Sequence, residues 1–152
     1  NQAILPIVEG SIEDIRGTIK KYNAKVLCSC SEKINANIDS QLLREALINL
    51  LENAIKYGDN NSSITLAVKE KSNNILIDIG NTGSIIPKKE HDRIFNRFYR
   101  VDKSRSKKTG GTGLGLAIVK HISFVHNGTI EVKKSDEIST VFRFTLPKNI
   151  SN

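Results

Sequence analysis

The stretch Asp39-Ser40-Gln41-Leu42-Leu43-Arg44-Glu45-Ala46-Leu47-Ile48-Asn49-Leu50-Leu51-Glu52-Asn53-Ala54-Ile55-Lys56-Tyr57-Gly58 sets the frame for the whole chain. Leu42, Leu43, Ala46, Leu47, Leu50, Leu51, Ala54 and Ile55 recur at intervals of three and four, which places them on one side of a helix. Asp39-Ser40 is a helix start and Gly58-Asp59-Asn60-Asn61 a stop, so the spacing predicts a helix from about 41 to 56. A second stripe runs beside the apolar one: Glu45, Asn49, Asn53 and Tyr57, with Lys56 three residues after Asn53. Asparagine in mid-helix lowers helix propensity and adds nothing to a core. The stripe therefore reads either as a solvated face or as a ligand face, where amide oxygens suit a hard divalent cation and an ammonium suits phosphate.

On the C-terminal side, Ser63–Glu70 and Asn74–Gly80 are rich in Ile, Val and Thr and flank Lys71-Ser72-Asn73, a hairpin signal. On the N-terminal side, residues 3–21 carry Ile4, Ile7, Val8, Ile12, Ile15 and Ile19 at helical spacing, interrupted by Pro6, Gly10 and Gly17. Short β-prone runs follow at Lys25–Cys30 and Ile34–Ile38. Residues 81–113 lack sustained periodicity except around His91–Tyr99, and loops of that length are more often functional than idle. A helix is expected from Leu114 to Val125, stopped by His126-Asn127-Gly128. Strands at Thr129–Lys133 and Thr140–Leu146 close the chain before Pro147. The class is α+β: one mixed sheet, helices on one face, and a long loop before the last helix.

The chain has 152 residues, 38% hydrophobic and 26% charged, which suits one globular domain and excludes disorder. No apolar run reaches the ~18–20 residues of a membrane span, and no signal-peptide pattern opens the chain. Cys28-Ser29-Cys30 lacks the spacing of a zinc site, and the two thiols read as small buried hydrophobes in a reducing compartment. The chain holds no methionine and starts at Asn1, so it is expected to be a piece of a longer protein. A net charge of +7 permits an anionic partner without choosing among nucleic acid, membrane surface and nucleotide.

Three further segments carry possible chemistry. Gly110-Gly111-Thr112-Gly113-Leu114-Gly115-Leu116 opens the last helix. It is neither a dinucleotide fingerprint nor a P-loop, and reads as a linker or as a phosphate cradle at a helix N-terminus. Asn81-Thr82-Gly83-Ser84-Ile85-Ile86-Pro87 continues a strand into a loop. Ile94-Phe95-Asn96-Arg97-Phe98-Tyr99-Arg100, followed by Lys103, Arg105, Lys107 and Lys108, interleaves aromatics with cations, as a solvated loop or a grip on single-stranded nucleic acid.

Together and in order, these motifs resemble the catalytic, ATP-binding domain of bacterial sensor histidine kinases. That superfamily includes DNA gyrase, the mismatch-repair ATPases and the large heat-shock chaperone ATPase. The resemblance implies a two-layer α/β sandwich spanning 1–152 as a single catalytic domain of a longer kinase, with ATP and Mg²⁺ as cofactors and an ATP lid at about 87–113. Leu50–Tyr57 looks like the N box: Asn53 would hold Mg²⁺, Asn49 would lie near the phosphates, Lys56 would reach a phosphate and Tyr57 would line the adenine or ribose. Phe95 and Phe98 match the F box, and Arg100 the lid arginine that engages the γ-phosphate. Gly111, Thr112, Gly113, Leu114, Gly115 and Leu116 match the second glycine box, whose backbone cradles phosphate. Asn81, Gly83 and Ile86 belong to the first glycine box, and Thr140 to a later landmark of the nucleotide site.

The first glycine box departs from the family pattern. Counting back from Ile86-Pro87, Asn81 stands at the aspartate position and Ile85 at the second glycine. A register starting at Asp78 is opposed by strand parity, since Ile77 and Ile79 are in phase with Asn81. Asparagine still accepts a hydrogen bond from adenine, at about 0.5–1.5 kcal/mol against about 1.5–3 for a charged acceptor. ATP binding is expected to survive, weakened.

Hydrolysing members carry a glutamate four residues before the metal asparagine; here that position is Asn49, which cannot act as a base. Slow hydrolysis and transfer to another acceptor follow. Lys56 and Arg100 would act by positioning phosphate, with no general base in this chain. The resemblance puts the acceptor histidine on a separate dimerisation hairpin, with a response regulator downstream. His91, His121 and His126 are expected to be structural or solvated. The isolated domain is expected to be a monomer on the cytoplasmic side, its parent tethered to the membrane through other segments, with no nucleic-acid partner. Two rivals are a serine protein kinase of the anti-sigma-factor type and a basic nucleic-acid-binding module using Arg97–Lys108.

Overall fold

The computed structural model describes residues 1–99 and 113–149. In chain order these form β1 (Gln2–Ala3), α1 (Ile4–Asp14), α2 (Arg16–Lys21), β2 (Lys25–Ser29), β3 (Asn35–Ala36), α3 (Ser40–Tyr57), β4 (Ser63–Lys71) and β5 (Asn74–Asn81). Two 3-10 turns follow, Lys88–Glu90 and Arg93–Phe95, then α4 (Gly115–Val125), β6 (Thr129–Ser135) and β7 (Thr140–Pro147). The five longer strands form one mixed sheet in the order β2-β4-β5-β7-β6, with β2 parallel to β4 and every other neighbour antiparallel. The α+β class and the helices on one face agree with the sequence pattern.

Alternation in the strands decides which face is covered. Ile64, Leu66 and Val68 of β4, Ile75, Ile77 and Ile79 of β5, and Phe142, Phe144 and Leu146 of β7 are all buried. They meet the stripe Leu43, Ala46, Leu47, Leu50, Leu51, Ala54 and Ile55 of α3, along with Ile4, Ile7 and Val8 of α1 and Val119 and Ile122 of α4. Full burial of each large aliphatic stabilises by about 1.5–3 kcal/mol, so this layer contact is the dominant favourable term. α3 begins at Asp39, whose Oδ1 accepts the Leu42 amide at 3.0 Å and satisfies one of the donors a helix start leaves open.

Three local details differ from the sequence pattern. The helical segment from residue 3 is broken at Ile15, which leaves helical geometry yet is only 2% exposed, so the chain bends where its side chain enters the core. A short strand at Gln2–Ala3 pairs antiparallel with Asn35–Ala36, a contact too brief to leave a period. The two cysteines are free, but Cys28 is exposed and Cys30 only partly covered, which corrects the expectation of buried thiols. β2 is an edge strand, covered from fewer directions than its neighbours. Burial, with the charges of Cys28 and Glu9, still pushes the Cys30 thiol up to about 11.

The turn after α4 is held by His126 and Gly128. His126 Nδ1 donates to Ile122 O at 2.8 Å and its Nε2 accepts the Asp39 amide at 3.0 Å, joining the end of α4 to the start of α3. Asn127 is left-handed (φ 56°), and the Gly128 amide donates to Ser123 O at 2.8 Å, closing the helix end. A Cβ on Gly128 would lie 2.1 Å from the Thr145 carbonyl oxygen of β7. Gly128→Ala is therefore expected to destabilise by about 1–3 kcal/mol, seen as a lower urea midpoint at unchanged slope. An unmoved midpoint would show that β7 yields at no cost.

On the uncovered face, Asp78 accepts two hydrogen bonds from Arg143, each 2.8 Å, and one from Lys133 at 3.3 Å. Burial alone would raise its carboxyl, but the bonds and charge of Arg143, and then of Lys133, hold it below the ordinary 3.8. A value lower in the folded state adds stability above the unfolded value and loses it as pH falls through the folded one. Asp78→Asn should flatten the acid limb of the thermal midpoint below pH 3.8, leaving the smaller fall due to Asp14 and Asp136, which are also lowered. An acid limb identical to wild type would mean that the pair adds nothing.

Candidate functional site

Beside its buried stripe, α3 carries Asn49, Asn53, Lys56 and Tyr57, all half-buried, while Glu45 is exposed. Asn49 donates its Nδ2 to Glu45 O at 3.0 Å, which fixes the amide plane. Its Oδ1 faces the start of α4, and a Cβ on Gly115 would come within 3.0 Å of it. Because Asn49 meets Gly115 and Asp39 meets His126, α3 and α4 run antiparallel. The first turn of α4 thus opens beside the polar stripe, with Leu114 at the N-cap offering no side-chain cap of its own. A helix start presents amide donors and a positive dipole end, the arrangement that suits an anion.

The other end of the stripe is closed by the loop after β5. Gly58 and Gly83 form an antiparallel bridge, the Asp59 amide donates to Thr82 O at 2.8 Å, and the Ser84 amide donates to Tyr57 O at 3.5 Å. A Cβ on Gly83 would sit 2.5 Å from Tyr57 O and 3.2 Å from Asn81 Nδ2, so the approach needs glycine. Asn53 lies one turn from Asn49 and one from Tyr57, about 6 Å along the axis from each. It stands between the α4 start and the Gly83 loop.

Asn81 is 6% exposed and shares the inner face of β5 with Ile77 and Ile79, while Asp78 faces outward to Arg143. Its Nδ2 donates to Thr82 O at 3.3 Å, which turns Oδ1 into the accepting atom of the pair. Directly across the ladder is Thr140, 3% exposed, whose hydroxyl donates to Ser84 O at 3.3 Å. Ile86 is half-buried; its amide donates to Ser135 Oγ at 2.8 Å and its carbonyl takes His91 Nε2 at 2.9 Å. Phe95 is buried against Phe142, edge to face at 6.1 Å, and anchors the loop in the core. Phe98 is 68% exposed and left-handed (φ 62°); its amide donates to Gly113 O at 2.8 Å. Gly113 is itself at φ 76°, and a Cβ there would lie 2.7 Å from Phe98 Cα.

The four segments therefore meet: the α3 stripe touches the α4 start at Asn49 and the Gly83 loop at Tyr57, and Phe98 touches Gly113. Leu116 packs half-buried on the core beside them. Arg100, Gly111 and Thr112 lie outside the described residues, as do Lys103, Arg105, Lys107 and Lys108 of the nucleic-acid reading. Of the histidines, His91 and His126 hold backbone groups and His121 is exposed on α4. Sequence reasoning missed Ser135. Its bond to Ile86 spans 49 residues, and a serine at the end of a strand carries no signal of such a partner.

Residues 38–150 match the model of the family described as histidine kinase-, DNA gyrase B-, and HSP90-like ATPase. The sensor-like histidine kinase SenX3 of Mycolicibacterium smegmatis is 42% identical over 110 residues, 72% of this chain and 29% of that protein. The heme sensor protein HssS of Staphylococcus aureus is 46% identical over 118 residues, 78% of this chain and 25% of that protein. The chain thus spans less than a third of the length of these relatives. Among solved structures, the nucleotide-free catalytic domain of the histidine kinase ThkA superposes with a TM-score of 0.83 at 25% identity, covering 97% of this chain and 94% of that one. The mycobacterial sensor histidine kinase MprB shares the fold, with a TM-score of 0.80 at 23% identity over 99% and 97% of the two chains. A family match over most of the chain, on a sheet and helices arranged as in those catalytic domains, shows that the chain belongs to the histidine kinase-, DNA gyrase B-, and HSP90-like ATPase family.

Proposed function

We propose that residues 1–152 are the catalytic domain of a longer sensor histidine kinase. The domain binds Mg-ATP and passes the γ-phosphoryl to a histidine on a separate dimerisation hairpin, from which a response regulator takes it. The observation that carries this reading is the junction of α3 with the α4 start and the Gly83 loop, centred on Asn53, with Asn49 where a hydrolase needs a glutamate. Asn49 spends its Nδ2 on its own helix, and an amide cannot take the proton of an attacking water.

The residues divide the nucleotide between them. Asn81 accepts from the adenine amino group through Oδ1, beside Thr140, Gly83 and Ile86, with Tyr57 on the ribose side. Lys56 neutralises phosphate, and the backbone from Gly111 to Leu116 cradles it at the positive end of α4. Phe95 roots the lid of about 87–113 in the core, Phe98 stands at its exposed base, and Arg100 engages the γ-phosphate. Among the described residues no three His, Cys, Asp or Glu side chains come together as a metal site. One amide oxygen, Asn53, suits an ion held mainly by phosphate and water, as Mg²⁺ is in phosphoryl-transfer sites. Bound there, Mg²⁺ would offset the charge of the phosphate oxygens. In the transfer a P–N bond to the hairpin imidazole forms as the bond to the β-phosphate oxygen breaks, and the ring proton leaves to a group outside this chain.

The parent is proposed to hold this domain on the cytoplasmic side of a membrane, with dimerisation in the hairpin and the isolated domain monomeric. Among the described residues no helix is long and apolar enough to cross a membrane.

Calorimetric titration of ATP and ADP, with and without Mg²⁺, tests the site. Mg²⁺ should strengthen ATP binding, and Asn53→Ala should weaken it by about tenfold or more, the equivalent of about 1.4 kcal/mol. No binding at millimolar ATP would overturn the reading. The chain alone should also release phosphate slowly, and a turnover of about 1 per second or faster, within the ordinary enzyme range, would make it a hydrolase instead.

A further inference from the structure

At the end of the β6–β7 hairpin, two hydroxyls join three backbone segments. The Ile86 amide donates to Ser135 Oγ at 2.8 Å, Ser135 Oγ lies 2.7 Å from Thr140 Oγ1, and Thr140 Oγ1 lies 3.3 Å from Ser84 O. The direction of the protons follows from the two ends. An amide only donates and a carbonyl only accepts, so Thr140 gives its proton to Ser84 O and Ser135 gives its proton to Thr140. Each hydroxyl donates once and accepts once, and both sit in partly buried surroundings, where an unmatched polar group is costly.

This relay grips Ser84 and Ile86, the two neighbours of Ile85. Ile85 is itself 49% exposed and adds little packing of its own. The other end of the relay is the strand pair that carries the adenine-facing position: Thr140 is opposite Ser135 in β6 and opposite Asn81 in β5. The hydroxyls thus fix the loop at 84–86 against the position of Asn81, a neutral acceptor that depends on placement more than a carboxylate would.

We propose that Ser135 is a positioning residue for adenine recognition, acting through Thr140 and the Ile86 amide without touching the nucleotide. The proposal rests on the nucleotide reading given above. Without the Ser135 hydroxyl, the Ile86 amide loses its acceptor and the loop loosens at the base end of the site. The phosphate end, built by α3 and α4, keeps its contacts.

The test compares ADP and GDP binding to the wild-type chain, Ser135→Ala and Ser135→Thr by calorimetry, with amide hydrogen exchange at Ile86. Wild type should prefer ADP and protect the Ile86 amide. Ser135→Ala should weaken ADP about tenfold, narrow the preference over GDP and release Ile86, while Phe142 and Phe144 amides stay protected. Ser135→Thr, which keeps the hydroxyl, should stay within about twofold of wild type. A wild-type chain that binds neither nucleotide would overturn the nucleotide reading and the proposal with it. Wild-type binding that Ser135→Ala leaves unchanged would overturn the proposal alone, as would an equal loss of ADP and GDP or a failure of Ser135→Thr to restore binding. Should Ser135→Ala not fold, rapid exchange of the Ile86 amide in the wild-type chain would itself overturn it.

Discussion

The contact between α3 and the sheet is the constraint from which the rest follows. One side of this helix is committed to the core through Leu43, Leu47, Leu50, Leu51 and Ile55, all nearly inaccessible to water. A helix fixed along that side cannot rotate, and rotation is the only freedom that would move Asn49, Asn53 and Tyr57 off their line. The polar stripe is therefore placed by the packing of its apolar neighbour. Asn49 and Tyr57 then act as stops, where α4 and the β5 loop come to rest against the same helix.

Glycine marks each place where those elements touch. At Gly115 the neighbour is a side-chain amide, at Gly83 a helix carbonyl, and at Gly113 the backbone of Phe98. Gly113 and Phe98 both have left-handed backbone, and they occur as a hydrogen-bonded pair. Left-handed φ costs a bulky residue such as Phe98 of order 1–3 kcal/mol. The structure pays this at the base of the loop, next to the α4 start.

Much of this could be read from the residues alone. The periods of α3, β4, β5, α4 and β7 are strong because each element has one buried and one wet face, and parity along β5 separates Asn81 from Asp78. What the sequence left unread has a common cause. The pause at Ile15 shows no breaker because the residue is as apolar as its neighbours and the bend is made by tertiary packing. Cys28 follows the parity of a covered strand, but an edge position depends on sheet order, which no local pattern states. His126 and Ser135 act across 87 and 49 residues, and their partners are backbone amides, which every residue has. Such bonds leave no mark on composition or spacing.

The Phe98–Gly113 contact also bears on how this family member tolerates change. A hydrogen bond between the two residues brings the ends of the intervening segment together before that segment does anything. The entropy of closing a loop rises only slowly with length, by roughly 0.6 kcal/mol for each doubling. With the ends already joined, insertions or deletions between them need not disturb α4 or the α3 stripe. The length and charge of that segment can thus change in this chain while the joining point at Phe98 and Gly113 is kept.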